Sequence, residues 1–188
     1  TGSIVARATK AKLYENWTDV SGCLICDPRI VNNPEPIKTI TYRELRELAY
    51  MGATVLHEDA IFPVRAAGIP VNIKNTNQPE DRGTMIVSES AEHCAHIITG
   101  IAGKKGMSVI NIEKDKMNSE IGFGKNVLRA LEKSNVSFEH MPSGVDTMSV
   151  VIATEALAGK ETAIIDEIKS RVHPDQIYIE SNLALIAV

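Results

Sequence analysis

Trp17-Thr18-Asp19-Val20-Ser21-Gly22, with Asp27-Pro28-Arg29 beginning five residues beyond the glycine, is the stretch from which the rest of the chain reads. Residues 12–17 (Lys-Leu-Tyr-Glu-Asn-Trp) have a strand-like pattern and run straight into a polar turn. In open α/β sheets, ligands sit outside the carboxyl ends of the strands, so a Thr-Asp pair there is placed to hydrogen-bond a small polar ligand. Arg29 follows a proline that fixes the local backbone, and its planar, permanently charged fork suits a phosphate. The plainer alternative stands beside this one. Thr-Asp is common in turns, and Asp-Pro-Arg also serves to cap a loop.

Outward from this stretch, short β-like runs alternate with helical ones. Residues 1–8 are helix-like. Thr41-Tyr42-Arg43-Glu44 is a capping box that opens a helix with Leu45 and Leu48 on one face. Residues 57–67 read as a second helix stopped by Gly68, residues 69–73 as a strand, and residues 85–87 as a short last strand. The β-α-β alternation predicts a largely parallel sheet with helices on its faces. Residues 88–92 have a linker composition.

The second half has a different rhythm. Strands are expected at 97–102, 107–112, 136–141, 147–152 and 176–179, with helices at 119–134 and 161–171. From Met107 onward the order is β-α-β-β-α-β, the ferredoxin-like pattern. Ile121-Gly122-Phe123-Gly124 opens the first of those helices. Glycines there bare backbone N–H groups at the positive end of the helix dipole, a place able to hold a small carboxylate or, more simply, a tight turn.

Composition excludes several classes. Of 188 residues, 44% are apolar, enough for a packed core, and the net charge of -4 offers nothing to nucleic acid or an anionic membrane surface. Aromatic residues make up only 4%, which argues against base stacking. No apolar run reaches the roughly 20 residues that cross a bilayer. Three cysteines in no framework spacing suit a reducing cytoplasm. Cys23-Leu24-Ile25-Cys26 together with His93-Cys94-Ala95-His96 could be written as a zinc site, but the first pair flanks apolar residues behind a strand and reads as core.

Trp17-Thr18-Asp19-Val20-x-Gly22-x4-Asp27-Pro28-Arg29 closely resembles the aspartokinases, members of the amino-acid kinase family. So do residues 39–45, residues 50–57 (Tyr-Met-Gly-Ala-Thr-Val-Leu-His) and residues 68–76 (Gly-Ile-Pro-Val-Asn-Ile-Lys-Asn-Thr). The resemblance implies an α/β fold: the C-terminal part of a three-layer α/β/α amino-acid kinase domain over 1–90, then a ferredoxin-like ACT regulatory domain over 91–182. The closing apolar run, 183–188, would open a second ACT domain. It further implies an enzyme that transfers the γ-phosphoryl group of Mg-ATP to the β-carboxylate of L-aspartate, in the cytoplasm, on the way to lysine, threonine and methionine. ATP and Mg2+ are thereby expected, with no nucleic-acid or membrane partner.

Carried over position by position, the nucleotide would meet Thr18, Asp19, Leu24, Arg29 and Thr54. Leu24 and Thr54 depart from the tyrosine and lysine that many relatives place there. An amino-acid effector, lysine with threonine as the rival, would meet Met117, Ser119, Gly122, Phe123, Gly124, Asn135, Val136, Ser137, Glu139 and Asp146. ACT modules typically form such sites between copies, so a homodimer or higher oligomer is implied. The family's catalytic lysine and aspartate-binding residues have no counterpart in the sequence, so it is expected to be an internal fragment, inactive by itself. Two alternatives stay open: a sensing and dimerisation module with no catalysis of its own, and another amino-acid kinase acting on a different substrate.

Overall fold

The computed structural model describes residues 1–51, 58–88 and 97–188. The chain divides into two compact units, Thr1–Gly103 with Ile186–Val188, and Lys104–Leu185. The expected linker at 88–92 and the expected boundary at 90/91 fall almost wholly in 89–96, outside the described residues.

In the first unit, helix α1 (Gly2–Ala8) leads to β1 (Tyr14–Thr18), β2 (Thr39–Thr41), α2 (Tyr42–Tyr50), α3 (Glu58–Ala66), β3 (Val71–Asn75) and β4 (Thr84–Val87). The sheet order is β1-β3-β4-β2. β1 runs parallel to β3 and β2 parallel to β4, while β3 and β4 pair antiparallel across a turn. The sheet is therefore mixed, with the expected parallel pairings at its two outer positions. Val71, Ile73 and Ile86 point one way from it, fully buried, and meet Leu45, Ile61 and Val64 of the helices.

The capping box forms as its residue types require. Glu44 N–H donates to Thr41 Oγ1 (3.2 Å), and Thr41 N–H donates to Glu44 Oε2 (2.8 Å). Thr99 Oγ1 donates to the other carboxylate oxygen (2.8 Å). Burial pushes the Glu44 carboxyl up, but the bonds from Thr41 and Thr99 outweigh it and hold the group below the usual glutamate range. A depressed carboxylate stabilises the fold above its unfolded pKa and loses that contribution as pH falls through the folded value. Thr41→Ala is expected to cost about 1 kcal/mol at neutral pH. The gap to the parent chain should narrow on acidification through the carboxylate range, which denaturant titrations at pH 7 and pH 3.5 would measure.

In the second unit, β5 (Ala102–Glu113) is followed by a 3-10 turn (Met117–Ser119), α4 (Phe123–Lys133), β6 (Thr147–Ala153), α5 (Thr154–Leu157), α6 (Glu161–Val172) and β7 (Gln176–Ala187). The sheet order is β6-β5-β7, and β5 meets β6 antiparallel from Met107↔Ala153 to Glu113↔Thr147. One face buries Ile110, Ile112, Val150 and Ile152 against Phe123, Val127 and Leu131 of α4 and Ile164, Ile168 and Val172 of α6. This is the ferredoxin-like half of the fold.

Four local expectations change. Of residues 97–102 only Ala102 enters a strand. The rest pack by contact: Ile101 N–H donates to Ile25 O (2.6 Å), and a Cβ on Gly100 would stand 2.7 Å from Leu48 Cδ1. The helix expected from 119 starts at Phe123, because Gly122 has φ +85° and breaks the helical path. The strand expected at 136–141 is an irregular edge along β6. Glu139 N–H donates to Val151 O and Val151 N–H to His140 O, but Pro142 has no N–H with which to continue the ladder. Finally, β7 extends to Ala187 and takes in most of the apolar 183–188 stretch, passing through a left-handed residue at Asn182 (φ +62°).

Candidate functional site

The parallel pairing of β1 and β3 ends on Thr18↔Asn75, so both strands release their chains at one corner. Thr76 closes that corner, donating its N–H (2.8 Å) and its Oγ1–H (2.9 Å) to Thr18 O. Thr18 Oγ1 donates to Asp19 Oδ1 (3.1 Å), and the Asp19 carboxylate is exposed. Beneath lies Asn75, 7% exposed with both ends of its amide engaged. Its Nδ2 donates to Ser21 Oγ (2.9 Å), and its Oδ1 accepts from Asn77 N–H (2.9 Å). Ser21 Oγ donates in turn to Asp81 Oδ2 (2.5 Å). Lys74 Nζ bonds the Asp81 carbonyl and stands 5.6 Å from the centroid of the Trp17 ring.

From this corner a narrow arm projects. Its base is fixed by Thr84, fully buried, whose Oγ1 accepts Cys23 N–H (2.8 Å) and donates to Ile37 O (2.6 Å). Ile37 N–H donates to Cys23 O, Leu24 bridges Pro36, and Ile25 N–H donates to Glu35 O. The two limbs thus run antiparallel, with residues 27–34 at the tip. The approach is so close that a Cβ on Gly22 (φ +112°) would fall 2.3 Å from Thr84 Oγ1.

At the tip, Arg29 grips Asp27 fork to fork, Nη2 to Oδ2 at 2.6 Å and Nε to Oδ1 at 3.0 Å. These bonds hold the Asp27 carboxyl below its usual range. The Arg29 side chain is 83% exposed, leaving its outer N–H groups to a ligand.

Thr18 and Asp19 are therefore together at the sheet corner, Leu24 lies in the base of the arm, and Arg29 at its tip. Thr54 lies outside the described residues. Ser21, Asn75, Thr76 and Asp81 complete the corner and were missing from the sequence-derived set. The signal for them was present: Asn75-Thr76 ends an apolar strand in the same way as Thr18-Asp19. Cys23 belongs to the core, where burial pushes its thiol up to about 11. His93, Cys94 and His96 lie outside the described residues. Among the described residues no three His, Cys, Asp or Glu side chains could hold a metal ion.

In the second unit, the segment between β5 and α4 gathers Met117, Ser119, Gly122, Phe123 and Gly124 at one end of α4. Met117 and Phe123 are buried plugs, while Ser119 and Gly122 are exposed. A Cβ on Gly122 would have nothing within 4 Å, so the space beside it is open. Asp146 joins this group, its Oδ1 accepting Lys116 N–H at 2.8 Å.

The remaining four lie elsewhere. Asn135 (φ +51°), Val136 and Ser137 follow the opposite end of α4, whose 11 residues span about 16 Å at 1.5 Å each. Glu139 is bonded to Lys104 Nζ (3.0 Å). Within one chain the ten residues thus form two clusters at the two ends of one helix. Beside the second cluster runs an open groove of about 580 Å³, lined by Leu128, Arg129, Val136 and Phe138 among others.

The amino acid kinase family matches residues 1–75. Aspartokinase 3 of Bacillus subtilis is 43% identical over 189 aligned residues, which cover all of this chain and 41% of that protein. The crystal structure of Clostridium acetobutylicum aspartate kinase superposes with a TM-score of 0.89 at 59% identity, over 98% of this chain and 43% of that one. The chain belongs to the aspartokinase family. It spans about two fifths of the length of these relatives. E. coli aspartokinase III, solved in complex with lysine and aspartate, has the same fold (TM-score 0.75, 24% identity, 99% of this chain and 41% of that one). The aspartokinase match embraces both units, so the α/β kinase part and the ACT-type module read from the sequence are one family's parts. Among the described residues no helix is long and apolar enough to cross a membrane.

Proposed function

We propose that this chain is the nucleotide-binding and regulatory portion of an aspartokinase, which phosphorylates the β-carboxylate of L-aspartate with Mg-ATP under feedback control by an amino acid. The observation that carries this reading is the alignment of both units with aspartokinases. The first unit would be the C-terminal part of the kinase domain and the second the ACT module.

The geometry supports a division of labour. Thr18, Asp19 and Thr76 offer hydroxyl and carboxylate groups at the mouth of a parallel strand pair, suited to the nucleoside end of ATP. Arg29 reaches out on a braced arm, suited to the phosphates. Phosphoryl transfer rests mainly on positioning and charge stabilisation, and a bonded arm supplies positioning. Mg2+ belongs to the Mg-ATP substrate and is given no ligand of this chain.

Arg29→Ala in a full-length enzyme containing this segment should raise KM for ATP about tenfold, the cost of one charge-assisted contact. KM for aspartate should stay unchanged. Equal effects on both substrates, or none, would remove Arg29 from the nucleotide site.

For the second unit we infer an effector site completed between two copies. The Gly122 end of α4 from one chain would meet the 135–137 segment of the other, because one amino acid cannot bridge both ends of the same helix. The effector carboxylate would sit on N–H groups near Gly122, and the free Asp146 oxygen would face its ammonium group. Lysine is the effector proposed, and threonine the rival outcome.

A further inference from the structure

The segment 114–122 carries three residues of the proposed effector site, Met117, Ser119 and Gly122, yet has little regular structure of its own. It turns left-handed at Lys116 (φ +59°) and again at Gly122 (φ +85°), with a single 3-10 turn between. Asp115, Lys116, Asn118, Ser119, Ile121 and Gly122 are all exposed. Its shape must come from groups that brace it.

Two of those groups lie outside the effector set. Lys114 Nζ bonds the Glu120 carboxylate and the Val172 carbonyl, and stands 5.9 Å from the centroid of the Phe123 ring. One ammonium therefore closes the segment on itself, from its first residue to Glu120, and ties it to the last turn of α6. A cation is favoured there by the helix's carbonyl end. Asp175 holds the other side. Its Oδ2 accepts Asp115 N–H (2.7 Å), and its own N–H donates to Glu113 O (2.8 Å). Both ties run to the α6–β7 connection, an anchor that belongs to the core through Val172 and Ile177.

We propose that Lys114 and Asp175 are positioning residues for effector recognition: they hold segment 114–122 in the shape that presents its backbone N–H groups, without themselves contacting the ligand. The proposal rests on reading that segment as part of an amino-acid site. Without the ammonium, the half-buried Glu120 carboxylate and Val172 carbonyl lose a shared partner, and the shape of the segment is left to the Asp175 tie, the Asp146 bonds, the Asn118 N–H bond to Val145 O and the buried Met117.

The test uses the 188-residue chain with Lys114→Met, Lys114→Arg and Asp175→Ala. Amide exchange is followed by mass spectrometry in 115–122 and, as an internal reference, in 161–172; L-lysine and L-threonine are titrated by calorimetry. Lys114→Met and Asp175→Ala should speed exchange in 115–122 about tenfold or more while 161–172 keeps its protection, since a charged hydrogen bond contributes more than a factor of ten. Effector affinity should fall by a similar factor, and Lys114→Arg should restore most of both. Unchanged exchange in 115–122, or equal loosening of 161–172, overturns the positioning role. If the parent chain binds neither amino acid, the effector reading fails separately, and the exchange data still decide whether these two residues shape the segment.

Discussion

Gly83→Ala should abolish the folding of the first unit, the largest effect expected of a single added methyl group among the described glycines. Gly83 has φ +74°, and a Cβ there would sit 1.9 Å from the Ile73 carbonyl oxygen and 3.0 Å from Asn72 Oδ1. The obstacle is backbone, which cannot rotate away. Gly68 is the control. Its φ is +67°, but a Cβ would meet nothing within 4 Å. Gly68→Ala should therefore cost only the backbone term, about 1 kcal/mol, whereas Gly83→Ala should cost about 4 kcal/mol or more, comparable to the whole stability of a small domain. The single tryptophan, Trp17, lies in the first unit's sheet and reports its unfolding by fluorescence. A Gly83→Ala transition within 1 kcal/mol of that of Gly68→Ala would show that the close approach is not rigid.

The second large effect belongs to the other core. Ile168 is fully buried in α6 among Ile110, Val127 and Ile164. Ile168→Ala removes three carbons from a packed interior and leaves a cavity, typically costing about 2–5 kcal/mol. Circular dichroism should record an early loss of helix, while the Trp17 fluorescence transition stays where it was, because each unit buries its own cluster. A Trp17 transition that moves with the mutation would mean the two cores unfold as one.

Much of this fold was legible because local chemistry and burial agree. The capping box at 41–44, the Leu45/Leu48 stripe and the alternation of 71–75 each state their element without reference to anything distant. What was hidden depends on partners far along the chain. That 136–141 is an irregular edge follows from Pro142 meeting β6, not from the residues' β propensity. That α4 starts late follows from a positive φ at Gly122, where a helix-like periodicity would continue. Thr18 and Asp19 were legible as a corner because they end a strand. Asn75 and Thr76 were not assigned to it, since only the parallel register shows that their strand ends beside the first. The residues proposed for the effector read as one group because sequence spacing does not reveal that α4 separates them.

The interlock of Gly22, Gly83 and Thr84 has a bearing on how members of this family can be recombined. The turn after β3 forms the floor of the strand-end corner and the mount of the arm at the same time, and neither glycine leaves room for a side chain. Residues 18–37 and 72–84 are thus one inheritable cassette although some 35 residues separate them in the chain. A chimera that transplants the arm from a relative, but leaves the resident turn, mates two surfaces cut to different patterns. Exchange of both pieces together keeps the fit, and with it the reach of Arg29.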